Sequence, residues 1–240
     1  MARDVNEYAA AVVRDHPGRF GFFATLTLPD IEGSVVELGH ALDVLNADGV
    51  VLLANNRGVY LGDPAFDPLF DELNRRRAVV FIHPSVLPGL EPLDGLPPFV
   101  ADFLPDSTRA AIRLGASGTL DRCPDIRFIL SHGGGFVPYA AARISAAASP
   151  MGEAADGLAK LRSFYFDTAL SSSPYALPSL LAFAQAGHVL FGSDWPYAPA
   201  RTVGSFVKMY ERYDLGPAER ASIDRTAAEE LFPRLVPSVV

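Results

Sequence analysis

Three side chains stand where apolar runs end: His83 in VFIHP, His132 in ILSHGGGF and Asp194 in VLFGSDWP. Placing a carboxylate or an imidazole at the mouth of an apolar strand costs free energy unless a proton, a metal or a polar partner compensates it. Two imidazoles and a carboxylate form a donor set for a borderline divalent cation such as zinc, with water in an open position. Such a cation polarises a substrate oxygen or a water; without one, the same three groups suit acid–base chemistry. The three glycines after His132 let the backbone approach a ligand closely. His-Gly-Gly-Gly also occurs in the oxyanion loop of lipase-like serine hydrolases, but those need a Gly-x-Ser-x-Gly elbow. The glycines at that spacing here, Gly58 and Gly62, enclose Tyr60, which excludes that chemistry.

Other polar residues read less sharply. Asp167 in FYFDTALS reads as structural support through local hydrogen bonds. Arg143, on the helix leaving the glycine loop, is either an exposed helix arginine or a carboxylate-binding one. Trp195 either lines a pocket or packs. His16, His40 and His188 read as structural or solvated, and Cys123 as a small inert thiol.

The elements that must position these groups follow an alternating pattern. Helical spacing marks residues 5–16, a helix opening on Asp30 as N-cap with Gly49 as its stop, DPLFDELNRRR, and STRAAIRLGASGTLDRC. Between and after them lie short apolar runs: RFGFFATLTL, VVLLAN, AVVFIHP, IRFILS, SFYFDTAL and HVLFGSDWP. Such runs, each followed by a helix, predict a parallel sheet covered on both faces. Asn55, Asn56, His83, His132, Asp167 and Asp194 all fall at C-terminal strand ends, the edge where α/β barrels and open α/β sheets place their chemistry. The Pro-rich stretch SVLPGLEPLDGLPPFVADFLPD is long for a connection and reads as a lid or pocket wall.

Composition narrows the classes. With 240 residues and 49% hydrophobic residues the chain is expected to form one domain over residues 1–240. Lys and Arg number 20 against 28 Asp and Glu, a net charge of −8 that disfavours nucleic acid as a partner. No apolar run approaches the ~18 residues of a bilayer span, so no membrane partner is expected. The lone cysteine fits a reducing, cytoplasmic setting.

The stretches ADGVVLLAN, LGDPAFDPLFDEL, AVVFIHP, ADFLPDSTRAAIRL, ILSHGGGFVPYAAARI, FYFDTALS and VLFGSDWP resemble, in order, the amidohydrolase-related branch of the aminocarboxymuconate-semialdehyde and γ-resorcylate decarboxylases. The resemblance implies a metal-dependent (β/α)8 TIM-type barrel, usually with zinc, and non-oxidative decarboxylation of an aromatic or unsaturated carboxylic acid. It implies His83 and Asp194 as metal ligands and His132 as the catalytic acid/base, with Asp194 assisting catalysis from the metal. Arg143, with Trp195 nearby in the reading of the site, would bind substrate, the arginine gripping a carboxylate, even across a homodimer interface. Hydrolysis or hydration, such as lactone opening, is the alternative reaction. One departure stands out: the family's His-x-His pair, which supplies further ligands, has no counterpart, since no two histidines lie two apart. The expectation is therefore a barrel truncated at its N-terminus to about six βα units, holding metal weakly or not at all, completed by another chain or inactive.

Overall fold

Strand β5 (Val79–His83) shows how side-chain alternation builds the sheet. Val80 and Ile82 point into the large core beneath the helices, whereas Val79 and Phe81 point to the opposite face. The same division runs through β1 (Phe23–Thr25), β2 (Gly49–Leu53), β6 (Arg127–Leu130), β7 (Tyr165–Asp167) and β8 (Val189–Leu190). In the computed structural model, which describes residues 1–236, these six strands pair in parallel in the order β1-β2-β5-β6-β7-β8. Apart from the small antiparallel hairpin β3 (Asn55–Asn56) and β4 (Val59–Tyr60) between β2 and β5, each strand lies beside its predecessor and the order never reverses. That is the sequential winding of a barrel, not the doubly wound open sheet whose order turns back at a switch point. The final four residues of the expected domain, 237–240, lie outside the described residues.

Helices α1 (Ala2–Asp15), α2 (Ile31–Asp43), α3 (Asp67–Arg75), α4 (Phe103–Ala116), α5 (Thr119–Arg122), α6 (Val137–Ile144), α7 (Ala154–Arg162) and α8 (Leu177–Phe183) follow or join the strands. Asp30 caps α2 as expected, its side chain accepting the Gly33 amide at 2.9 Å. Gly49, however, is no helix stop. The helix ends at Asp43, and Gly49 opens β2 where a Cβ would stand 2.3 Å from the Val79 carbonyl. The long run STRAAIRLGASGTLDRC is two helices, because Gly118 takes φ 77 between α4 and α5. The first strand is also shorter than its apolar run. At its end, the Asn6 side chain from α1 both donates to and accepts from the Thr25 backbone at 2.9 Å, standing in for a neighbouring strand.

The inner face of the sheet carries a smaller core. Val79, Ile129 and Leu190 pack with Ala227 of α11 (Ala227–Leu231), which follows α9 (Ala200–Arg212) and α10 (Pro217–Ala221). Phe232 meets Phe23 edge-on at 5.7 Å, and Phe23 stacks on Phe81 at 5.8 Å. The Pro-rich stretch leaves the sheet and exposes Val86, Leu90, Leu93, Leu96, Phe99 and Val100. Among the described residues no helix is long and apolar enough to cross a membrane.

Because the contact at Gly49 is with backbone, Gly49→Ala is expected to cost about 1–3 kcal/mol of stability, the usual penalty for overpacking. Urea denaturation reads it, and an unchanged midpoint would mean that β2 starts elsewhere.

Candidate active site

His83 is the last residue of β5. Its Nδ1 lies 2.7 Å from the Pro84 carbonyl, and a carbonyl can only accept, so Nδ1 carries the hydrogen and Nε2 keeps a lone pair. His132 follows β6 in a short turn, and its Nδ1 faces the Ala169 carbonyl at 3.3 Å in the same sense. The two Nε2 atoms therefore face each other, 3.3 Å apart. Asp194 lies beyond β8 rather than at its end, in a left-handed conformation (φ 62) that turns its carboxylate back. The ligand atoms of His83, His132 and Asp194 all fall within 4.8 Å of one another.

His132 itself has φ 55, a conformation that needs outside support. The support is Asp167, at the end of β7, whose Oδ1 accepts the His132 amide at 2.7 Å and the Ala169 amide at 3.0 Å. The glycines behind His132 are sterically required: a Cβ on Gly134 (φ 73) would stand 2.7 Å from the Phe166 ring. Burial pushes the Asp167 carboxyl above its ordinary value, with nearby His132 and the two amides acting in the opposite direction. Burial, and the neighbouring His132, hold the His83 imidazole below its ordinary value, against the pull of the Pro84 carbonyl and Asp194.

Below these groups opens a cavity of about 390 Å³, within the range of small-molecule sites. Its walls are inner-face residues, Phe23, Phe81, Ile129 and Leu190, with Phe191 and Trp195 at the rim. Trp195 is thus a lining residue. Arg143 is not: it is exposed on α6 and outside this cavity, so it can meet only a substrate bound elsewhere or in another subunit. Of the Pro-rich stretch, residues 85–106, none lines this cavity; its Phe103 alone returns to the site, edge-on to His83 at 5.8 Å. The aromatic floor contributed by Phe23 and Phe232 was not singled out in the sequence, where both residues read only as apolar.

The donor set fits a metal. Two imidazole nitrogens 3.3 Å apart call for a positive species between them, either a proton shared by the rings or a cation held by His83 and Asp194 with His132 beside it.

Comparison with known proteins agrees. The amidohydrolase family model (Amidohydro_2) matches residues 1–234. The chain is 42% identical over 260 residues to Decarboxylase yanB of Aspergillus niger, covering 98% of this chain and 68% of the relative. It is 41% identical to the 6-methylsalicylic acid decarboxylase of Penicillium expansum, covering 98% and 75%. An amidohydrolase II crystal structure superposes with a TM-score of 0.90 at 28% identity, over 97% of this chain and 76% of that one. A dihydroxybenzoic acid decarboxylase from Polaromonas, solved with manganese and 2-nitroresorcinol, shares the fold at a TM-score of 0.81 and 22% identity, over 97% and 74%. The chain belongs to the amidohydrolase family, a metal-dependent class built on this barrel. Within it, the chain is an enzyme of the decarboxylase branch.

The depressed His83 pKa has a consequence for stability in the metal-free protein. Above the ordinary value of 6.5, folded and unfolded chains both hold this imidazole neutral, and it adds no pH dependence. Below it the unfolded chain takes up the proton first, so stability declines as pH falls through that value. Urea unfolding between about pH 7.5 and 5.5 is expected to show that decline, and His83→Gln to flatten it. An identical slope in the variant would place the titration on another residue.

Proposed function

We propose that this chain carries out non-oxidative decarboxylation of a small hydroxylated aromatic acid bound in the cavity beneath His83, His132 and Asp194. The observation that carries the reading is the union of a convergent His–His–Asp set with a cavity whose walls are mostly aromatic or aliphatic. The relatives named for decarboxylation, one of them acting on 6-methylsalicylic acid, support the substrate class.

His83 and Asp194 would hold the cation, zinc or manganese. When bound, it supplies Lewis acidity that draws electron density from an oxygen of the substrate and offsets its negative charge. Phe23, Phe81 and Leu190 receive the ring and exclude water from it. His132 moves the proton. Its ring is backed by a longer bond, 3.3 Å to Ala169, than the 2.7 Å that ties His83, and its Nε2 points into the shared space. Delivered from the protonated Nε2 of His132 to the ring carbon that bears the carboxylate, a proton forms a new C–H bond and interrupts the aromatic system, leaving the imidazole neutral. The bond to the carboxylate then breaks, its electron pair restores the ring, and CO2 departs. No Lys or Arg is among the residues lining the cavity, so within this chain the carboxylate is met by the cation and the imidazoles. In a homodimer Arg143 would supply a further positive charge from the second subunit. The setting we assign is the cytoplasm, where the buried thiol of Cys123 stays reduced.

The test is a panel of hydroxybenzoic acids with zinc or manganese, following CO2 release and, in parallel, hydrolysis of aromatic lactones. Removing a general acid–base group costs about 10²–10⁴-fold in rate. His132→Ala is expected to lose that much CO2 release while keeping metal affinity, whereas His83→Ala and Asp194→Asn lose the metal. Lactone opening without CO2 release would replace decarboxylation by hydrolysis. Equal loss of metal in His132→Ala would make that residue a ligand.

A further inference from the structure

Asp106 lies on α4, a helix away from the cavity, and is fully buried. Three donors converge on its carboxyl group. Oδ1 accepts from the Asn55 amide at 2.9 Å and from the Tyr60 hydroxyl at 2.7 Å, and Oδ2 accepts from the Ser85 backbone amide at 2.8 Å. Asn55 and Tyr60 come from a small hairpin, β3 (Asn55–Asn56) and β4 (Val59–Tyr60), that follows β2. Among the described residues Asp106 has no ion-pair partner. Its burial is compensated by these hydrogen bonds alone, an arrangement that requires the surrounding groups to be held in place.

The Ser85 amide is half of the Pro84–Ser85 peptide. The other half, the Pro84 carbonyl, is the group that accepts the His83 Nδ1 hydrogen. A single peptide plane therefore joins the buried carboxylate to the imidazole: a carboxylate on its N–H side, Nδ1–H on its C=O side. Accepting at the amide polarises the carbonyl and strengthens its pull on Nδ1–H. It also fixes the plane, and with it the ring direction of His83.

We propose that Asp106 is a positioning residue for the metal site. Through the Pro84–Ser85 peptide it holds His83 in the Nδ1–H form with Nε2 aimed at His132 and Asp194. Ligating histidines commonly donate their second N–H to a carbonyl or carboxylate, and loss of that partner typically weakens metal binding about 10- to 100-fold. Here the carbonyl is itself held in place by a carboxylate one step further out. Asn55 reinforces the arrangement by donating to the Ser85 hydroxyl at 3.0 Å and the Val86 carbonyl at 3.2 Å, so that the segment leaving the site starts from a fixed point. Tyr60 remains a donor throughout the physiological range, because burial and the adjacent Asp106 push its phenol up to about 12.

The inference rests on His83 being a metal ligand, and the experiment separates the two ideas. ¹⁵N-histidine NMR of the metal-free protein reads the His83 tautomer directly, with no dependence on metal or substrate. In the wild type His83 is expected as Nδ1–H alone. In Asp106→Asn, an amide that cannot accept from all three donors, it is expected as a mixture of tautomers, with zinc or manganese affinity by calorimetry lowered about 10- to 100-fold. Leu114→Ala, a cavity variant on the same helix, controls for lost stability and is expected to leave the tautomer alone. Should Asp106→Asn fail to fold, Tyr60→Phe loosens the same carboxylate and is expected to shift the tautomer in the same direction. A folded Asp106→Asn, or failing that Tyr60→Phe, with the wild-type tautomer overturns the inference. If the tautomer shifts but His83→Ala binds metal normally, the ligand role of His83 falls while the coupling to Asp106 stands.

Discussion

The arrangement that governs this molecule is the approach of two imidazole Nε2 atoms to 3.3 Å, which calls for a proton or a cation between them. In bulk water such a pair would rotate apart. Here neither can, because each ring is tied from behind by a backbone carbonyl, Pro84 for one and Ala169 for the other. Those carbonyls belong to segments that begin at the ends of adjacent or nearby parallel strands, and parallel strands in sequential order deliver their C-terminal ends to one rim. The barrel winding thus sets up an electrostatic demand for a positive species at a fixed point, and the acidic Asp194 strengthens it.

Much of this was legible in the sequence. The six apolar runs marked the strands, and His83, His132 and Asp194 drew notice because a polar residue closing an apolar run calls for compensation. The errors have physical causes. Gly49 has the composition of a helix stop, but its smallness serves close approach to the Val79 carbonyl in the next strand, a non-local contact that no window of neighbouring residues contains. Asp194 reads as a strand end because FGSD continues an apolar run; the strand ends at Leu190, and Asp194 lies beyond it in a left-handed conformation that no run of apolar residues reports. The Pro-rich stretch suggested a wall by its length, yet length alone does not fix direction. Direction is set where the segment departs, at Ser85 and Val86, by hydrogen bonds to Asn55 and Asp106. Arg143 is no such error: its helix presents it to solvent, outside this chain's own cavity, and the sequence leaves it either an exposed helix arginine or one acting across a subunit interface.

The inner face of the sheet serves two purposes that compete. A barrel interior is ordinarily packed with side chains and acts as core. Here Val79, Ile129 and Leu190 pack with Ala227 of α11, and Ile129 and Leu190 also line the cavity together with Phe23, Phe81 and Phe232. The same aromatic and aliphatic side chains thus serve as core on one side and as cavity wall on the other. An apolar cavity can then persist without collapsing, because its floor is fixed by aromatic contacts at 5.7 and 5.8 Å rather than by contents.

The same separation of duties appears in the backbone. His132 at φ 55 and Asp194 at φ 62 hold conformations that cost side-chain-bearing residues free energy, on the order of 1–3 kcal/mol in a strained site. Such conformations persist only where surrounding structure fixes them. For His132 that structure is one carboxylate oxygen of Asp167, shared between two amides and shielded from solvent. Burying Asp167 raises its pKa and so costs free energy when it is ionised, but an exposed carboxylate would divide its hydrogen bonds with water and leave the amide of His132 loosely held. Desolvation is therefore what turns the Asp167 interaction from a weak surface contact into a positional constraint. Asp106 stands in the same relation to the peptide behind His83. Two buried acids, Asp106 away from the cavity and Asp167 on its wall, hold the backbone behind the two imidazoles.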